Sequence, residues 1–205
     1  ATVQQTFEGS AGGDLLQATA DAARYVLLAG DDRASGGAGN DVYHVDSSGD
    51  RVYETTGTVD AGGLDTVYSY RSSWSLGAYI ENARIQSTGT ASLTGNTLNN
   101  VIYAGTGSNA INGGSGTDTL NLTNITTSGG ATIDLTAGTW DLSPTFGGPE
   151  IITGIEAVLG TQLADTVTGS FANEFFSGKK GNDVLIGGGG TDTIDDGQSV
   201  RFRQI

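Results

Sequence analysis

A nine-residue phrase that recurs along the chain restricts its fold more than any other feature. GGAGNDVYH occupies residues 36–44, and GGSGTDTLN occupies residues 113–121. In both copies glycine fills the first, second and fourth places, aspartate fills the sixth, and an apolar residue fills the eighth. A constant phase between turn-forming, acidic and apolar residues indicates that each copy folds into the same short unit.

Nine-residue windows that keep this pattern run without a break through three blocks of the chain. The blocks cover residues 9–53, 95–121 and 160–195, and residues 60–68 form one further window out of phase with its neighbours. The sixth place carries a side-chain oxygen in every window except the one with Ala23, and the eighth place is always apolar. A glycine-rich linker has no reason to keep two unrelated chemistries in phase, so the pattern favours an ordered repeat.

The chemistry of each window predicts a turn followed by a short strand. Glycine permits positive φ and close backbone approach, which tight turns require. Side chains alternate between the faces of a strand, so the eighth-place residue points to the interior while its neighbours face solvent. One window makes half a coil, and windows two apart therefore stack at roughly 4.8 Å. The sequence predicts an all-β protein, a parallel β-roll with flanking strands or hairpins.

The blocks divide the chain into five segments of one elongated domain. Residues 1–53 form the first roll block, residues 95–121 the second, and residues 160–205 the third with a C-terminal cap. Residues 54–94 and 122–159 are predicted to add intervening strands. In the first of these segments, TVYSYRSSW alternates like a strand, and we expect it to form an edge strand or hairpin that covers the roll. The alternative is a surface on which its aromatic residues stack against a sugar.

Acids two windows apart are predicted to line up in two columns, one on each edge of the roll. One column holds Asp14, Asp32 and Asp50, and the other edge begins with Ala23 and Asp41. The later blocks add the facing pairs Asn100 with Asp118, Asp165 with Asp183, and Glu174 with Asp192. Carboxylates stacked this closely repel each other unless a cation lies between them.

The donor set in these columns indicates which cation would bind. The ligands are carboxylate and carbonyl oxygens in glycine-rich loops, and the chain has no cysteine and a single histidine. Such oxygens suit Ca²⁺, whereas Mg²⁺ requires stricter octahedral geometry and Zn²⁺ prefers nitrogen or sulfur. We therefore predict that each copy of the phrase supplies half of a calcium site.

The charge balance excludes several other partners and chemistries. Aspartate and glutamate number 23 against nine lysines and arginines, a net charge of −14, so we expect no binding to nucleic acid. No apolar run approaches the roughly 18 residues of a membrane span, and we expect no membrane insertion. No arrangement of serine, histidine and acid is recognisable, and His44 is predicted to face outward. We therefore expect no catalytic residues and no enzyme activity.

Three copies of the phrase carry a resemblance to a known family. GGAGNDVYH, GGSGTDTLN and GGGGTDTID (residues 187–195) resemble the glycine- and aspartate-rich nonapeptide of RTX proteins, the hemolysin-type calcium-binding repeat of secreted bacterial proteins. The resemblance covers about half of the chain. It implies a right-handed parallel β-roll, export through a type I channel, and folding outside the cell when calcium binds.

The resemblance also implies a set of ligands, because the family binds calcium through sixth-place carboxylates and backbone carbonyls of the turn. Transferred to this chain, they are Gly36, Ala38 and Asp41; Gly113, Ser115 and Asp118; Gly178, Lys180 and Asp183; and Gly187, Gly189 and Asp192. Each set is completed by a turn two windows away, and Asp14, Asp32, Asp50 and Asp165 belong to the same predicted metal sites.

Departures from the family pattern predict where binding is weaker. Ala23 leaves its edge without one carboxylate, and Asn100 and Asn109 are neutral, so several ions should concentrate in the first and third blocks. Two acids outside the windows, Glu81 and Glu156, each follow an apolar residue. Three roles stay open for them: a turn cap, an additional ligand, or a solvated side chain.

The sequence thus predicts a secreted calcium-binding β-roll at the extracellular or cell surface of a bacterium. One function is a non-enzymatic structural or adhesive module of a surface layer, with self-assembly or cell-surface polysaccharide as the interaction. The alternative is the accessory repeat region of a secreted lipase, metalloprotease or alginate epimerase, which would aid export, folding or polysaccharide binding. Lattices or filaments formed on adding calcium would favour the first function, and a catalytic domain upstream would favour the second.

Overall fold

The computed structural model describes residues 5–18, 21–56, 59–60, 62–126, 129–142, 150–195 and 197. Most of the expected C-terminal cap after Asp195 lies outside these residues. Within them every regular element is a strand, so no helix there is available to span a membrane. The strands form a solenoid of about ten turns with mainly parallel sheets, which confirms the predicted all-β parallel β-roll.

The strands are short and follow one another at nearly regular intervals. In chain order they are β1 Gln5–Glu8, β2 Leu15–Gln17, β3 Ala23–Val26, β4 Arg33–Ser35, β5 Val42–Val45, β6 Arg51–Tyr53, β7 Thr55–Thr56, β8 Val59–Asp60, β9 Thr66–Ser69, β10 Ser73–Ser75, β11 Asn82–Ile85, β12 Ala91–Thr94, β13 Val101–Tyr103, β14 Asn109–Asn112, β15 Thr119–Asn121, β16 Thr132–Asp134, β17 Thr139–Asp141, β18 Glu150–Thr153, β19 Ala157–Leu159, β20 Thr166–Thr168, β21 Phe175–Ser177, β22 Val184–Ile186 and β23 Thr193–Asp195.

Two walls of strands face each other across the core. One wall is a ten-stranded parallel sheet, the long sheet, in the order β1-β3-β5-β9-β11-β13-β15-β19-β21-β23. The other wall, the opposite face, consists of the three-stranded sheet β2-β4-β6 and the eight-stranded sheet β10-β12-β14-β18-β17-β16-β20-β22. Where the repeat is in phase, partners lie 18 residues apart, as Tyr25 and Tyr43 do. Windows two apart therefore stack, as predicted.

The long sheet continues through two interruptions of the repeat. Val42 pairs with Thr66, 24 residues further on, and the added residues contain the antiparallel hairpin of β7 and β8. Thr119 pairs with Ala157, 38 residues further on, and that segment contains β16, β17 and β18, with β17 antiparallel to both neighbours. The strands of the long sheet therefore keep their parallel pairing across both insertions.

The prediction of an edge strand or hairpin for residues 66–74 is wrong for Thr66–Ser69, which form β9. Strand β9 is paired on both sides, with β5 and with β11, and so lies inside the long sheet. The reason is that Thr66–Ser69 points Val67 and Ser69 into the core and so completes a normal turn of the roll. Strand β10 does lie at the edge of the eight-stranded sheet.

The eighth-place residues form the core, as the alternation predicted. Ten of them are buried: Tyr25, Ala34, Tyr43, Val67, Ile102, Ile111, Leu120, Val167, Phe176 and Leu185. Each large apolar side chain that is fully buried stabilises the fold by about 1.5–3 kcal/mol. Leu16, Val52 and Ile194 are only half-buried because β2, β6 and β23 are edge strands with a neighbour on one side.

The turn before β5 shows why glycine recurs at the second and fourth places. Gly37 has a φ of 80° and Gly39 a φ of 115°, a region that residues with a Cβ adopt at a cost. Leu28 (φ 57°) and Lys179 (φ 70°) take the same conformation at the second place of their windows. The turn geometry is therefore imposed by the roll even where the sequence has no glycine.

Candidate metal sites on the two rims

Acids, with one alanine and two asparagines in their place, occupy one structural position of the roll, at the start of a strand or directly before it. The first rim lies along the long sheet and consists of Ala23, Asp41, Asp65, Glu81, Asn100, Asp118, Glu156, Glu174 and Asp192. The second rim lies along the opposite face and consists of Asp14, Asp32, Asp50, Asn109, Glu150, Asp165 and Asp183. The sixth place of the repeat is thus the last residue of the turn.

Rim residues are joined by one recurring hydrogen bond. The backbone N–H of Asp14 donates to a carboxylate oxygen of Asp32 at 2.7 Å, and the N–H of Asp165 donates to Asp183 at 2.9 Å, in each case one turn later. The same bond joins Asp32 to Asp50, Ala23 to Asp41, Asp41 to Asp65, Asp65 to Glu81, Asn100 to Asp118, Asp118 to Glu156, and Glu174 to Asp192. The predicted column neighbours are therefore adjacent.

A second property divides the rim carboxylates into two groups. In five of those at the sixth place of a window the other oxygen is buried and has no hydrogen-bond partner, and we call these the open carboxylates: Asp32, Asp41, Asp118, Glu174 and Asp183. Glu150, which lies outside the windows, also has such an oxygen. An ionised oxygen removed from water without a donor or a cation costs several kcal/mol, on the order of 2–7 kcal/mol for a polar group. These five oxygens therefore have the property expected of metal ligands.

Three other rim carboxylates, those of Asp14, Asp50 and Asp165, are closed, because donors of their own turn bind the second oxygen. Thr161 donates its N–H to Oδ2 of Asp165 and its hydroxyl to Oδ1, both at 2.8 Å. Asp50 accepts the N–H groups of Asp46 and Ser47 at 3.1 and 2.9 Å. These carboxylates already have the donors that a buried charge needs.

The backbone at the second place of the window distinguishes the two groups except at Glu174, where Ser170 donates its N–H to one oxygen and the other oxygen stays free. In the windows of Asp14 and Asp165, Ser10 and Thr161 occupy this place and donate their N–H to the carboxylate. In the windows of four open carboxylates the second-place residue has positive φ instead, namely Leu28, Gly37, Gly114 and Lys179. Left-handed φ turns the peptide N–H away from the carboxylate, so one oxygen stays free.

The glycine at the first place of most windows makes room for the ligand atoms. A Cβ added to Gly113 would lie 2.7 Å from Oδ2 of Asp118 and would overlap the carbonyl oxygen of Gly154. At Gly169 it would overlap the carbonyl oxygen of Gly187 and lie 3.0 Å from Oε2 of Glu174. A carboxylate of one turn and a carbonyl of the next thus converge on one small space, which is the mixed oxygen donor set that Ca²⁺ takes.

Burial makes the charged state of these acids unfavourable. Burial raises the pKa of Asp41 to about 6, although the hydrogen bond from Ala23 lowers it. Burial also raises the pKa of Asp32, and the negative charges of Asp50 and Asp14 add to the effect. At neutral pH a divalent cation would therefore compensate the negative charge of carboxylates that have no positive partner. The rim residues thus fit calcium.

The predicted carbonyl ligands are placed as follows. The carbonyls of Gly113, Gly178 and Gly187 each meet the first-place glycine of the preceding turn. The N–H groups of Ser115 and Gly189 donate to carbonyls one turn earlier, and Ala38 and Lys180 occupy equivalent third places in their turns. Gly36 lies against Oδ2 of Asp41. The ligand roles of these residues stay predictions.

The two asparagines replace an ionic contact by amide hydrogen bonds. Asn109 accepts the N–H of Gly105 at 2.7 Å and donates its amide to the carbonyl of Gly107 at 2.6 Å. Asn100 donates its amide to the carbonyl of Ile80 at 2.9 Å. Both amides thus have hydrogen-bond partners without a cation, and weaker binding in the second block stays a prediction.

Three glutamates take rim positions that the nine-residue spacing does not reveal. Glu81 and Glu156 accept the N–H groups of Asp65 and Asp118 at 2.8 Å, and Glu150 accepts the N–H of Asn109. Of the three roles left open for Glu81 and Glu156, the structure thus supports the turn cap. The signal in the sequence is an acid directly before a short alternating strand, as in IENARI and IEAVL.

Comparison with known proteins identifies the same part of the chain. The family model of the RTX calcium-binding nonapeptide repeat, in four copies, matches residues 26–52, 88–123 and 168–195. All five open carboxylates lie inside these ranges. A search of curated proteins found no match. The family pattern thus contributes five of the six rim residues with a free buried oxygen, and Glu150 lies outside it.

Proposed function

This chain carries the RTX calcium-binding nonapeptide repeat, and we propose that it is a secreted bacterial β-roll that folds when it binds Ca²⁺ outside the cell. The observation that carries the proposal is the set of open carboxylates, each buried with a free oxygen and located in the matched repeat. Asp32, Asp41, Asp118, Glu174 and Asp183 would hold the ions together with turn carbonyls. The ion would supply positive charge that couples two turns.

The energetics support coupling between binding and folding. The interior strands bury only one or two side chains each, which makes a narrow core, while the chain carries a net charge of −14. Without calcium, folding has to bury several unpaired carboxylates, whereas the unfolded chain keeps them in water. Ions that bind only the folded state add their binding free energy to its stability. A chain of this kind would stay unfolded in a cytoplasm with little calcium.

We propose a non-enzymatic role as a structural or adhesive module at the cell surface. A rigid solenoid presents a long, regular face on which a polysaccharide or a second copy of the chain would dock. His44, the single histidine, is held by the Nε of Arg24 at 3.1 Å and by the Tyr70 hydroxyl at 3.3 Å, and burial lowers its pKa. Such a histidine is a structural contact of the sheet and a poor general base.

Circular dichroism of the purified protein during titration with calcium, and then with EGTA, tests the proposal. We expect a disordered spectrum without calcium and a cooperative, reversible gain of β structure at about 10⁻⁴ to 10⁻³ M calcium, as in extracellular modules. A full β spectrum in excess EGTA would reject calcium-coupled folding. Electron microscopy of the same samples tests the surface-layer role, for which filaments or lattices should form with calcium.

A further inference from the structure

Three buried carboxylates meet where the repeat changes register. Asp41, Glu54 and Asp65 each offer an oxygen, and these oxygens lie within 4.8 Å of one another. The side chains are 0%, 1% and 1% exposed. Asp41 and Asp65 are neighbours on the first rim, whereas Glu54 directly follows β6 on the opposite face. The cluster thus joins one acid from outside the windows to two from the rim.

The hydrogen bonds leave this cluster short of donors. Oδ2 of Asp41 and Oε2 of Glu54 are buried and have no hydrogen-bond partner. The other oxygen of Glu54 accepts the hydroxyl of Tyr43, which is itself fully buried. The remaining Asp41 oxygen accepts the Ala23 N–H at 2.6 Å. Two unpartnered oxygens therefore lie in a space that water does not reach.

The electrostatics of the cluster favour a bound cation. Burial raises the pKa of Glu54 to about 8, and the charges of Asp65, Asp41 and Glu81 raise it further. Burial raises the pKa of Asp65 to about 7, with Glu81, Asp41 and Asp60 adding to the effect. These neighbouring charges are all negative. Each carboxylate thus makes ionisation of the next one harder, unless a cation compensates them.

The change of register is what brings Glu54 into the cluster. The rim neighbour of Asp41 on the preceding turn is Ala23, which has no carboxylate, and its neighbour on the next turn lies 24 residues away at Asp65. The longer spacing includes Glu54 and the hairpin of β7 and β8. Gly36 keeps the space open, because a side chain there would overlap both Oδ2 of Asp41 and the Tyr43 hydroxyl.

We propose that Glu54 and Asp65 bind the same divalent cation as Asp41, with Ca²⁺ as the ion, so that this site has two carboxylate ligands beyond the one that the repeat model supplies. Three carboxylates with no nitrogen or sulfur donor among them form a donor set for a hard cation. The match to the family repeat ends at residue 52 and resumes at residue 88, so two of the three ligands lie outside it. The site ties both walls together at the hairpin, and it does not depend on calcium-coupled folding of the other turns.

The substitution Glu54→Gln tests the site, with Glu8→Gln on exposed β1 as the matched control. Calcium bound per folded chain is measured by equilibrium dialysis. We expect Glu54→Gln to bind one ion fewer than the wild-type protein and Glu8→Gln to bind the same number. An unchanged number of ions in folded Glu54→Gln would overturn the proposal, even if the protein folds on calcium.

Terbium luminescence gives a second test that does not require Glu54→Gln to fold. Tb³⁺ replaces Ca²⁺ at oxygen sites and emits when a nearby tyrosine is excited, and Tyr43 contacts Glu54 directly. We expect Tyr43→Phe to bind as many terbium ions as the wild-type protein but to show weaker tyrosine-sensitised emission, with Tyr25, which stacks on Tyr43, contributing part of what remains. Equal emission from the two proteins would overturn the site. If the wild-type protein folds in EGTA and Glu54→Gln still binds one ion fewer, the result rejects calcium-coupled folding and leaves the proposed site standing.

Discussion

The backbone N–H of Asp165 donates a 2.9 Å hydrogen bond to Oδ1 of Asp183, one full turn later in the roll. Oδ2 of Asp183 is buried without a partner. One carboxylate therefore does two things: it caps the preceding turn with one oxygen and offers the other oxygen to a cation. This double use explains why the acid stands at a fixed place directly before the strand.

The two functions of Asp183 should separate in two substitutions. Asp183→Asn keeps an oxygen that accepts the Asp165 N–H, whereas Asp183→Ala leaves that N–H buried and unpaired. We expect both variants to need more calcium for folding, and only the alanine variant to lose about 1–3 kcal/mol at saturating calcium. Calcium titration by circular dichroism and urea unfolding measure the two effects. An asparagine variant with the calcium requirement of the wild-type protein would contradict the metal role.

Open and closed carboxylates should differ in their effect on calcium binding. Asp183 is open, while Asp165 on the adjacent turn is closed by Thr161. We expect Asp183→Asn to raise the calcium midpoint of folding clearly more than Asp165→Asn, since only the first removes a free oxygen. Circular dichroism titrations of both variants measure the midpoints. Equal shifts would mean that the hydrogen bonds of Thr161 do not protect Asp165 from a metal role.

The repeat itself was sufficient to predict the solenoid, its interior residues and the stacking of the acids. The fixed phase of acid and apolar residue places Asp41 directly before β5 and Tyr43 in the core, and both follow from strand alternation. Leu28 and Lys179 take the positive φ of the turn without being glycine, because stacked neighbours fix the turn.

Residues outside the windows could not be placed from spacing. Glu81 lies 16 residues after Asp65, and Glu156 lies 38 residues after Asp118, so neither keeps the 18-residue period. Their rim positions depend on how long each insertion is and on how it packs. The role of Glu54 depends on tertiary contacts alone, because it reaches Asp41 and Asp65 from the opposite face and no local pattern marks it.

The space beside the first-place glycine should be essential for calcium binding. A Cβ on Gly178 would overlap Oδ2 of Asp183, whereas a Cβ on Gly89 would meet nothing within 4 Å, and neither residue has positive φ. We expect Gly178→Ala to raise the calcium midpoint and to lose about 1–3 kcal/mol through overpacking, with Gly89→Ala near the wild-type value. Calcium titration and urea unfolding of both variants measure this. Equal behaviour would show that the carboxylate moves aside without loss.

Glu150 should make the stability of the roll depend on pH. Burial raises its pKa from 4.5 to about 7, and the charge of Asp141 adds to this, although the Asn109 N–H bond opposes it. Between these two values the folded state binds more protons than the unfolded state, so the contribution of Glu150 to stability falls as the pH rises through that window. Above it the loss is on the order of 3 kcal/mol.

Glu150→Gln removes the charge and keeps an oxygen for the Asn109 N–H. We expect the variant to be more stable than the wild-type protein at about pH 8 and to differ little at about pH 5, because there the folded wild type is already protonated. Urea unfolding at both pH values, at saturating calcium, measures the difference. Because other titrating groups are common to both proteins, a gain of the same size at both pH values would show that Glu150 is ionised throughout, and that its charge is compensated in the folded roll.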